Sequence, residues 1–270
     1  MLPYLCRPGR NLHIVAIGLR ANGSSARDVL NIARLGVTVC NATVTVLSDT
    51  ASAESKHGAF VRIQSKRGLL HELKQAIARV PATNSDLLIC ISGHGYETGS
   101  SRGAEYQLPN SRRSQYVRIG HDLVMDYELT AVVCKMHQIS GLIVVLNDTC
   151  HSGTLLDLEN VHVAGSQTVH RILPTRPHNK VLAIGVCSDR ETTGEDIGDF
   201  GGWGGKLLSR FMDSMNSNAC ETSGRVKAFN VLSFYKSCCH DFVQQRQQRT
   251  HPVLSFSNTL SHLSAIISRF

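Results

Sequence analysis

The sequence has no apolar run approaching the roughly 18–20 residues that a transmembrane helix requires. Its first ten residues also lack the pattern of a secretory signal peptide. We therefore predict neither membrane association nor export. The nine cysteines among 270 residues are irregularly spaced, and without an export signal this usage is typical of reduced thiols in the cytoplasm.

Clustered positive charge is also missing, although the formal net charge is +7. The only adjacent basic pairs are Lys66–Arg67 and Arg112–Arg113, and no block of five basic residues occurs. Nucleic-acid-binding chains concentrate such residues on one face or along one helix. Dispersed charge favours a solvated surface, so we predict no nucleic-acid partner.

Three familiar site patterns fail on inspection. Gly205–Lys206 does not complete a P-loop, because Phe200 and Leu207 occupy positions that require glycine and Ser/Thr. Ser92 is flanked by Cys90 and His94 where a serine-hydrolase elbow needs glycines. The Cys and His residues near the C-terminal end lack the Cys-x-x-Cys spacing of a zinc site, and core packing explains them better.

Strand-like and helix-like segments alternate along the chain, which predicts a mostly parallel α/β sheet with helices on both faces. The predicted strands are Leu12–Gly18, Thr43–Leu47, the apolar starts of 86–95 and 142–153, Val181–Cys187 and His251–Ser257. The predicted helices are Ser24–Gly36, Lys66–Val80, Asp122–Gln138, Lys206–Met215 and Val226–Gln248. We interpret Tyr96–Gly120 as a loop or hairpin insert, and Thr154–Asn179 as an exposed loop.

Two of the predicted strands end in chemically active residues. The stretch 86–95 runs into Ser-Gly-His-Gly, and 142–153 runs into Asn-Asp-Thr-Cys-His-Ser-Gly. Parallel strands bring their carboxyl ends to one edge of the sheet, where open α/β folds bind ligands. His94 and Cys150 would then meet as a general base and a thiol nucleophile.

The same residues resemble the two catalytic motifs of metacaspases, which are caspase-like cysteine peptidases. SGHG at 92–95 precedes DTCHSG at 148–153, in the order of that family. Weaker matches occur at 25–29 (SARDV), 124–129 (VMDYEL) and 185–193 (GVCSDRETT), so the resemblance extends from Leu12 to Ser257. It is closest to a type I metacaspase without the N-terminal prodomain.

The resemblance implies one peptidase domain over 1–270, with a large-subunit-like part at about 12–160 and a small-subunit-like part at about 180–258. Its fold would be a caspase-like, mostly parallel sheet of six strands with the last strand antiparallel. A monomer is implied as well. Arg171, Arg176 and Lys180 would be candidate sites of self-cleavage, although ordinary solubilising charge is the favoured explanation for them.

Residue roles also follow from the resemblance. His94 would be the general base and Cys150 the nucleophile, with the backbone N–H groups of Gly95 and Cys150 holding the oxyanion. Asp28, Ser92 and Asp148 would surround the side chain that precedes the scissile bond. Two carboxylates in a partly dry pocket favour Arg or Lys there, so the expected activity is hydrolysis of peptides after Arg or Lys.

Calcium activates many metacaspases, and its role here stays open at the level of sequence. Asp126 and Asp157 match two of the family's ligands, but Tyr127 and Ser111 stand where further aspartates would be expected. Calcium needs several oxygen ligands, usually with two or more carboxylates. We predict no required cofactor and leave calcium as a possible activator. A catalytically silent caspase-like scaffold is the alternative to an active peptidase.

Overall fold

The structure is a computed structural model that describes residues 3–19, 24–50, 56–97, 115–135, 138–156, 158–166, 169–171, 179–188, 195–198, 202–219, 228–244 and 250–267. Its strands are β1 (Tyr4–Leu5), β2 (Asn11–Leu19), β3 (Thr43–Ser48), β4 (Ala59–Arg62), β5 (Ser85–Gly93), β6 (Gly95–Glu97), β7 (Gln115–Ile119), β8 (Asp122–Met125), β9 (Leu142–Asp148), β10 (Asn160–Val163), β11 (Val169–Arg171), β12 (Lys180–Gly185), β13 (Glu195–Gly198), β14 (Gly202–Gly205), β15 (Phe229–Asn230) and β16 (Val253–Phe256). Its helices are α1 (Ser24–Thr38), α2 (Lys66–Ala78), α3 (Asp126–Lys135), α4 (Lys206–Ser217), α5 (Val231–Gln244), a 3-10 segment (Asn258–Leu263) and α6 (Ser264–Ile267).

A central sheet of nine strands organises the described residues, in the spatial order β11-β10-β16-β12-β9-β5-β2-β3-β4. The five neighbouring pairs from β12 to β4 are parallel, and the pairs that involve β16 and β10 are antiparallel. The mostly parallel sheet and its antiparallel last strand β16 confirm the prediction. The strand number was wrong, because β4, β10 and β11 join the six predicted strands.

Side chains alternate between two apolar cores, one on each face of the sheet. Along β2, Ile14 and Ala16 pack into one core, whereas Val15 and Ile17 pack into the other. This is the alternation that an extended backbone imposes. Helices α1, α4 and α5 cover the first core, and α2 and α3 cover the second. Helices on both faces are therefore confirmed.

The predicted helix over Asp122–Gln138 begins four residues later than expected, at Asp126. Asp122–Met125 forms β8, which pairs antiparallel with β7. Leu123, Val124 and Met125 extend the apolar pattern of the helix, which concealed the boundary. Strands β6, β7 and β8 form a separate small sheet. β6 and β7 pair antiparallel from either side of residues 98–114, which are not described, so the predicted insert is a hairpin.

The predicted exposed loop over Thr154–Asn179 is wrong for its first half. β10 lies within it and is largely buried, because it pairs with β16 on one side and β11 on the other. Only four residues long and centred on a histidine, β10 carries too short a pattern to stand out. Residues 172–178 and the candidate cleavage site Arg176 lie outside the described residues.

The remaining short strands form two small two-stranded sheets. β1 pairs with β15, which joins Tyr4 to Asn230, and β13 pairs with β14 immediately before α4. Among the described helices, none combines the length and the apolar character needed to cross a lipid bilayer.

Candidate active site

The two motif-bearing strands, β5 and β9, are neighbours and run parallel. Their register pairs Ser92 with Asp148 at the carboxyl edge of the sheet. His94 and Cys150 each follow two residues later, so both leave the sheet at the same point. His94 is exposed and Cys150 is partly buried. The predicted pair is thus delivered to one edge of the sheet.

Gly95 fixes how closely the two segments approach beyond the paired strands. A Cβ atom at this position would overlap the carbonyl oxygen of Cys150 and lie 2.6 Å from Oγ1 of Thr149. Only a residue without a side chain fits there. The His94 and Cys150 segments therefore stay in direct contact after the β-ladder ends.

The backbone N–H of Gly95 is directed away from the neighbouring strand. Gly95 lies opposite Val117 in the antiparallel pair of β6 and β7, and Arg118 donates its backbone N–H to the His94 carbonyl at 3.3 Å. In an antiparallel ladder, a hydrogen bond from the residue after Val117 to the residue before Gly95 identifies Gly95 and Val117 as a non-hydrogen-bonded pair. The ladder consequently does not use the Gly95 N–H, which is one of the two predicted oxyanion donors.

The turn that carries Cys150 is anchored on the end of β12. His151 adopts a left-handed conformation with φ of 53°, which is uncommon outside glycine and recurs at functional sites. The buried Ser152 hydroxyl accepts the backbone N–H of Cys187 at 3.3 Å. Burial raises the pKa of the Cys187 thiol to about 12, although hydrogen bonds from Ser152 and His151 oppose this rise. Cys187 is therefore a neutral support for the turn.

The three residues predicted to surround the substrate side chain also meet in the structure. Ser92 Oγ donates to Asp28 Oδ2 at 2.6 Å. The backbone N–H groups of Gly205 and Leu208 reach Asp28 Oδ2 at 3.2 Å and Asp148 Oδ2 at 2.8 Å, respectively. Helix N-termini attract anions because their N–H groups are unpaired and their dipole is positive. The start of α4 therefore holds both carboxylates.

Asp148 lies in an environment that disfavours its charge. Burial raises its pKa to about 8, and the Asp28 carboxylate adds to this rise against hydrogen bonds from Leu208 and Leu207 and the charge of Lys206. Its Oδ1 atom is buried and has no hydrogen-bond partner within the described part of the chain. A cation placed beside the two carboxylates would favour the ionised form of Asp148 and supply the missing partner.

Sequence reasoning missed the backbone donors at the start of α4. A Cβ atom at Gly205 would overlap the Asp148 carboxylate, so this close approach requires glycine. The run Gly-Gly-Trp-Gly-Gly directly before a helical pattern was the available signal, since glycine-rich entries to helices commonly cradle anions.

The predicted calcium ligands give an incomplete set. Asp126 begins α3 and is 3% exposed; its Oδ2 accepts the Gln115 N–H at 2.9 Å and its Oδ1 accepts the Tyr127 N–H at 2.7 Å. Asp157 lies outside the described residues. The described residues contain no group of three His, Cys, Asp or Glu side chains placed to hold a metal. On their own they do not fit calcium, which takes six to eight oxygens, and calcium activation stays a prediction.

Comparison with known proteins identifies the fold. The sequence matches no protein-family model and no curated protein sequence. Among solved structures, it is similar to a protein of Geobacter sulfurreducens (TM-score 0.58, 15% identity, covering 92% of this chain and 93% of that one). It is also similar to caspase-1 of Spodoptera frugiperda (TM-score 0.52, 13% identity, covering 92% and 88%). The chain has a caspase-like fold.

Proposed function

We propose that this chain is a cysteine endopeptidase of the metacaspase type, which cleaves peptides and proteins after Arg or Lys. The observation that carries the proposal is the meeting of the His94 and Cys150 segments at the carboxyl edge of a caspase-like sheet, with Gly95 packed on the Cys150 carbonyl. A thiol and an imidazole at one sheet edge are the minimum equipment for acyl transfer.

In the proposed reaction, the Cys150 thiolate attacks the carbonyl carbon of the scissile peptide bond. The resulting oxyanion accepts hydrogen bonds from the backbone N–H groups of Gly95 and Cys150. His94, which has taken the thiol proton, gives it to the leaving amine as the C–N bond breaks. A water molecule deprotonated by His94 then attacks the thioester, which releases the acid and restores the thiol. No step requires a metal.

The acidic cluster formed by Asp28, Ser92 and Asp148 supports the proposed preference for Arg or Lys. Asp148 ends β9 two residues before Cys150, and Asp28 accepts a hydrogen bond from Ser92, which pairs with Asp148 in the ladder. The unpartnered Oδ1 of Asp148 is an acceptor for a guanidinium or ammonium group. An acidic substrate residue would instead place a further negative charge beside the Asp28 carboxylate, which is strongly unfavourable in a buried site.

Hydrolysis of short fluorogenic peptides tests the proposal. Peptides ending in Arg, Lys or Asp are compared with and without calcium, using the wild type and Cys150→Ala. We expect cleavage after Arg or Lys that falls at least about 10⁴-fold in Cys150→Ala, as for other nucleophile deletions. Cleavage only after Asp would contradict the basic specificity and leave the His–Cys pair in place. The calcium comparison decides whether the metal activates the enzyme.

One observation favours a second candidate, a catalytically silent scaffold. Asp28 and Asp148 are 1% and 4% exposed and are bound by the N-terminus of α4, so the pocket is closed in this conformation. Thiol reactivity separates the two candidates. An active peptidase should be alkylated at Cys150 by a peptidyl-arginine acyloxymethyl ketone, and His94→Ala should slow that alkylation. A folded protein that neither reacts nor cleaves would be a scaffold.

We propose that the protein acts as a monomer in a reducing, cytoplasmic environment. In the described part of the chain, Val37 and Tyr127 are the large apolar side chains that are exposed, and they are far too few for an obligate interface. The eight described cysteines are free thiols, which agrees with reducing conditions.

A further inference from the structure

A cavity opens at the amino edge of the central sheet, opposite the candidate active site. Its volume is about 400 Å³, which is within the range of small-molecule sites. Residues 140–142 and Lys180, at the amino ends of β9 and β12, form one wall. The N-terminal segment and the 3-10 segment after β16 form the other walls. β9 has seven residues, so about 23 Å separates this cavity from the Cys150 turn.

Positive charge dominates the lining of this cavity. Arg7, Arg10 and Lys180 line it together with His262, and no acidic residue among the described residues lines it. Both arginines bind the carboxylate of Asp86, which is buried and does not line the cavity. Three fixed positive charges against one negative charge leave a surplus of two at neutral pH. Such a surplus in a concave site raises the local concentration of anions.

The two arginines are held in place before any ligand arrives. Nη2 of Arg7 and Nε of Arg10 bind the same Asp86 oxygen at 3.1 Å and 3.0 Å. Arg10 Nη2 also donates to the Ser85 carbonyl at 2.6 Å. The Leu142 N–H completes the set on Asp86 at 2.9 Å. Guanidinium groups fixed in this way lose little entropy when they bind an anion.

The chemistry of the lining selects the kind of anion. Two guanidinium groups and an ammonium group match a phosphate, which carries up to two negative charges and three acceptor oxygens. The remaining part of the lining adds the hydroxyl groups of Ser140 and Thr259 and the apolar surface of Pro3 and Leu260. A bare inorganic ion would leave this part unfilled. We propose that the cavity binds a small organic phosphate.

This site is independent of the proposed peptidase. Its residues lie at the other end of β9 and take no part in the His94–Cys150 chemistry. Binding is measured directly, so an inactive peptidase would not affect the result. A ligand that binds here would also tie together the amino ends of β9 and β12 with the N-terminal segment, and would stabilise the folded state by mass action.

Isothermal titration calorimetry of the whole chain tests the proposal, with AMP as the organic phosphate and inorganic phosphate and citrate as comparison ligands. We expect saturable 1:1 binding of AMP with a Kd below about 1 mM. Lys180→Glu places a negative charge on an exposed part of the wall and should weaken binding at least about tenfold. Lys74→Glu, an exposed lysine on α2, makes the same charge change away from the cavity and should leave the Kd within about twofold.

Arg7→Gln provides a second variant, because Arg10 and the Leu142 N–H still hold Asp86 when it is made. It should weaken AMP binding as well, while thermal unfolding verifies that the variant is folded. Absence of AMP binding up to about 10 mM would overturn the proposal. So would equal affinity in wild type and Lys180→Glu, or citrate binding as tightly as AMP, since each result removes the specific match to phosphate.

Discussion

The central sheet has a buried aspartate at each of its two edges, and the two aspartates have opposite electrostatic surroundings. At the amino edge, Asp86 accepts hydrogen bonds from Arg7 and Arg10. At the carboxyl edge, Asp148 has a second carboxylate, Asp28, as its neighbour, and its pKa rises to about 8. Positive side chains bind Asp86 directly, whereas Asp148 is bound by backbone N–H groups beside a second carboxylate, and the charge of Lys206 opposes its pKa rise only in part.

This difference separates a structural carboxylate from one that is prepared for a ligand. Asp86 joins the N-terminal segment to the start of β9 through hydrogen bonds and so stabilises the amino edge of the sheet. The Oδ1 atom of Asp148 has no hydrogen-bond partner among the described residues, and a basic substrate side chain would supply one. Ionisable groups with perturbed pKa values collect at functional sites for this reason. The comparison can be tested by removing one charge at a time.

The largest effect is expected from Asp148→Asn, in the dependence of stability on pH. The folded state holds the Asp148 proton up to about pH 8, whereas the ordinary value is 3.8. The stability that the bound proton of Asp148 contributes is therefore complete below about pH 4 and is lost as pH rises through 8. Between these limits, wild-type stability should fall by about 1.4 kcal/mol per pH unit relative to the variant. Urea unfolding at pH 5, 6, 7 and 8 measures this slope.

Asp241→Asn is the matched control for that experiment. Asp241 is a partly exposed aspartate on α5 that pairs with Arg210 at 3.5 Å, and surface pairs of this kind contribute at most about 1 kcal/mol. Its variant should keep the wild-type slope. Parallel pH profiles for wild type and Asp148→Asn would show that the Asp148 proton is not held as described, and the contrast between the two edges would disappear.

The next largest effect is expected from Asp86→Asn, at a fixed pH of 7. Its two arginines would lose their counter-charge, and breaking a buried pair in this way costs several kcal/mol. Because Arg7 and Arg10 are partly exposed, we expect a loss of about 3 kcal/mol, at the low end of that range. Chemical denaturation provides the value. A loss below about 1 kcal/mol would place Asp86 with ordinary surface pairs.

The smallest effect compares two serines on the same strand, β5. Ser92 donates to the Asp28 carboxylate at 2.6 Å, whereas Ser85 donates to the neutral Thr83 carbonyl at 3.2 Å. Hydrogen bonds to charged groups are the stronger class, so Ser92→Ala should cost about 2 kcal/mol and Ser85→Ala about 1 kcal/mol. Both variants are measured by urea unfolding at pH 7. Equal losses would show that Asp28 does not depend on the Ser92 hydroxyl.

The strands that carry the site could be predicted because burial on both faces produces long apolar runs. β5 and β9 are of this kind, and the polar residues that end them marked His94 and Cys150. β10 could not be found in the same way, since its pairing with β16 is decided by residues about 90 positions away. Short strands depend on their partners more than on their own composition.

The partners of the acidic cluster were hidden for a related reason. Family resemblance grouped Asp28, Ser92 and Asp148, but the N–H of Gly205 reaches Asp28 across 177 residues of chain. Backbone donors leave no mark in the identity of a residue. The cavity at the amino edge was missed as well, because Arg7, Arg10 and Lys180 form no charged run in the sequence and meet only through the fold.

The position of β16 in the sheet has a consequence for folding during translation, because β16 is synthesised long after the strands that it pairs with. β16 inserts between β12 and β10, and its Phe256 lies opposite Asn160, 96 residues earlier. At about 5–20 residues per second, β10 is synthesised roughly 5–20 seconds before its partner. For that interval, one edge of the nascent β10 has no strand to receive its hydrogen bonds, and unpaired edges invite association with other chains. Slow translation between positions 172 and 252 would lengthen this interval and lower the yield of soluble protein.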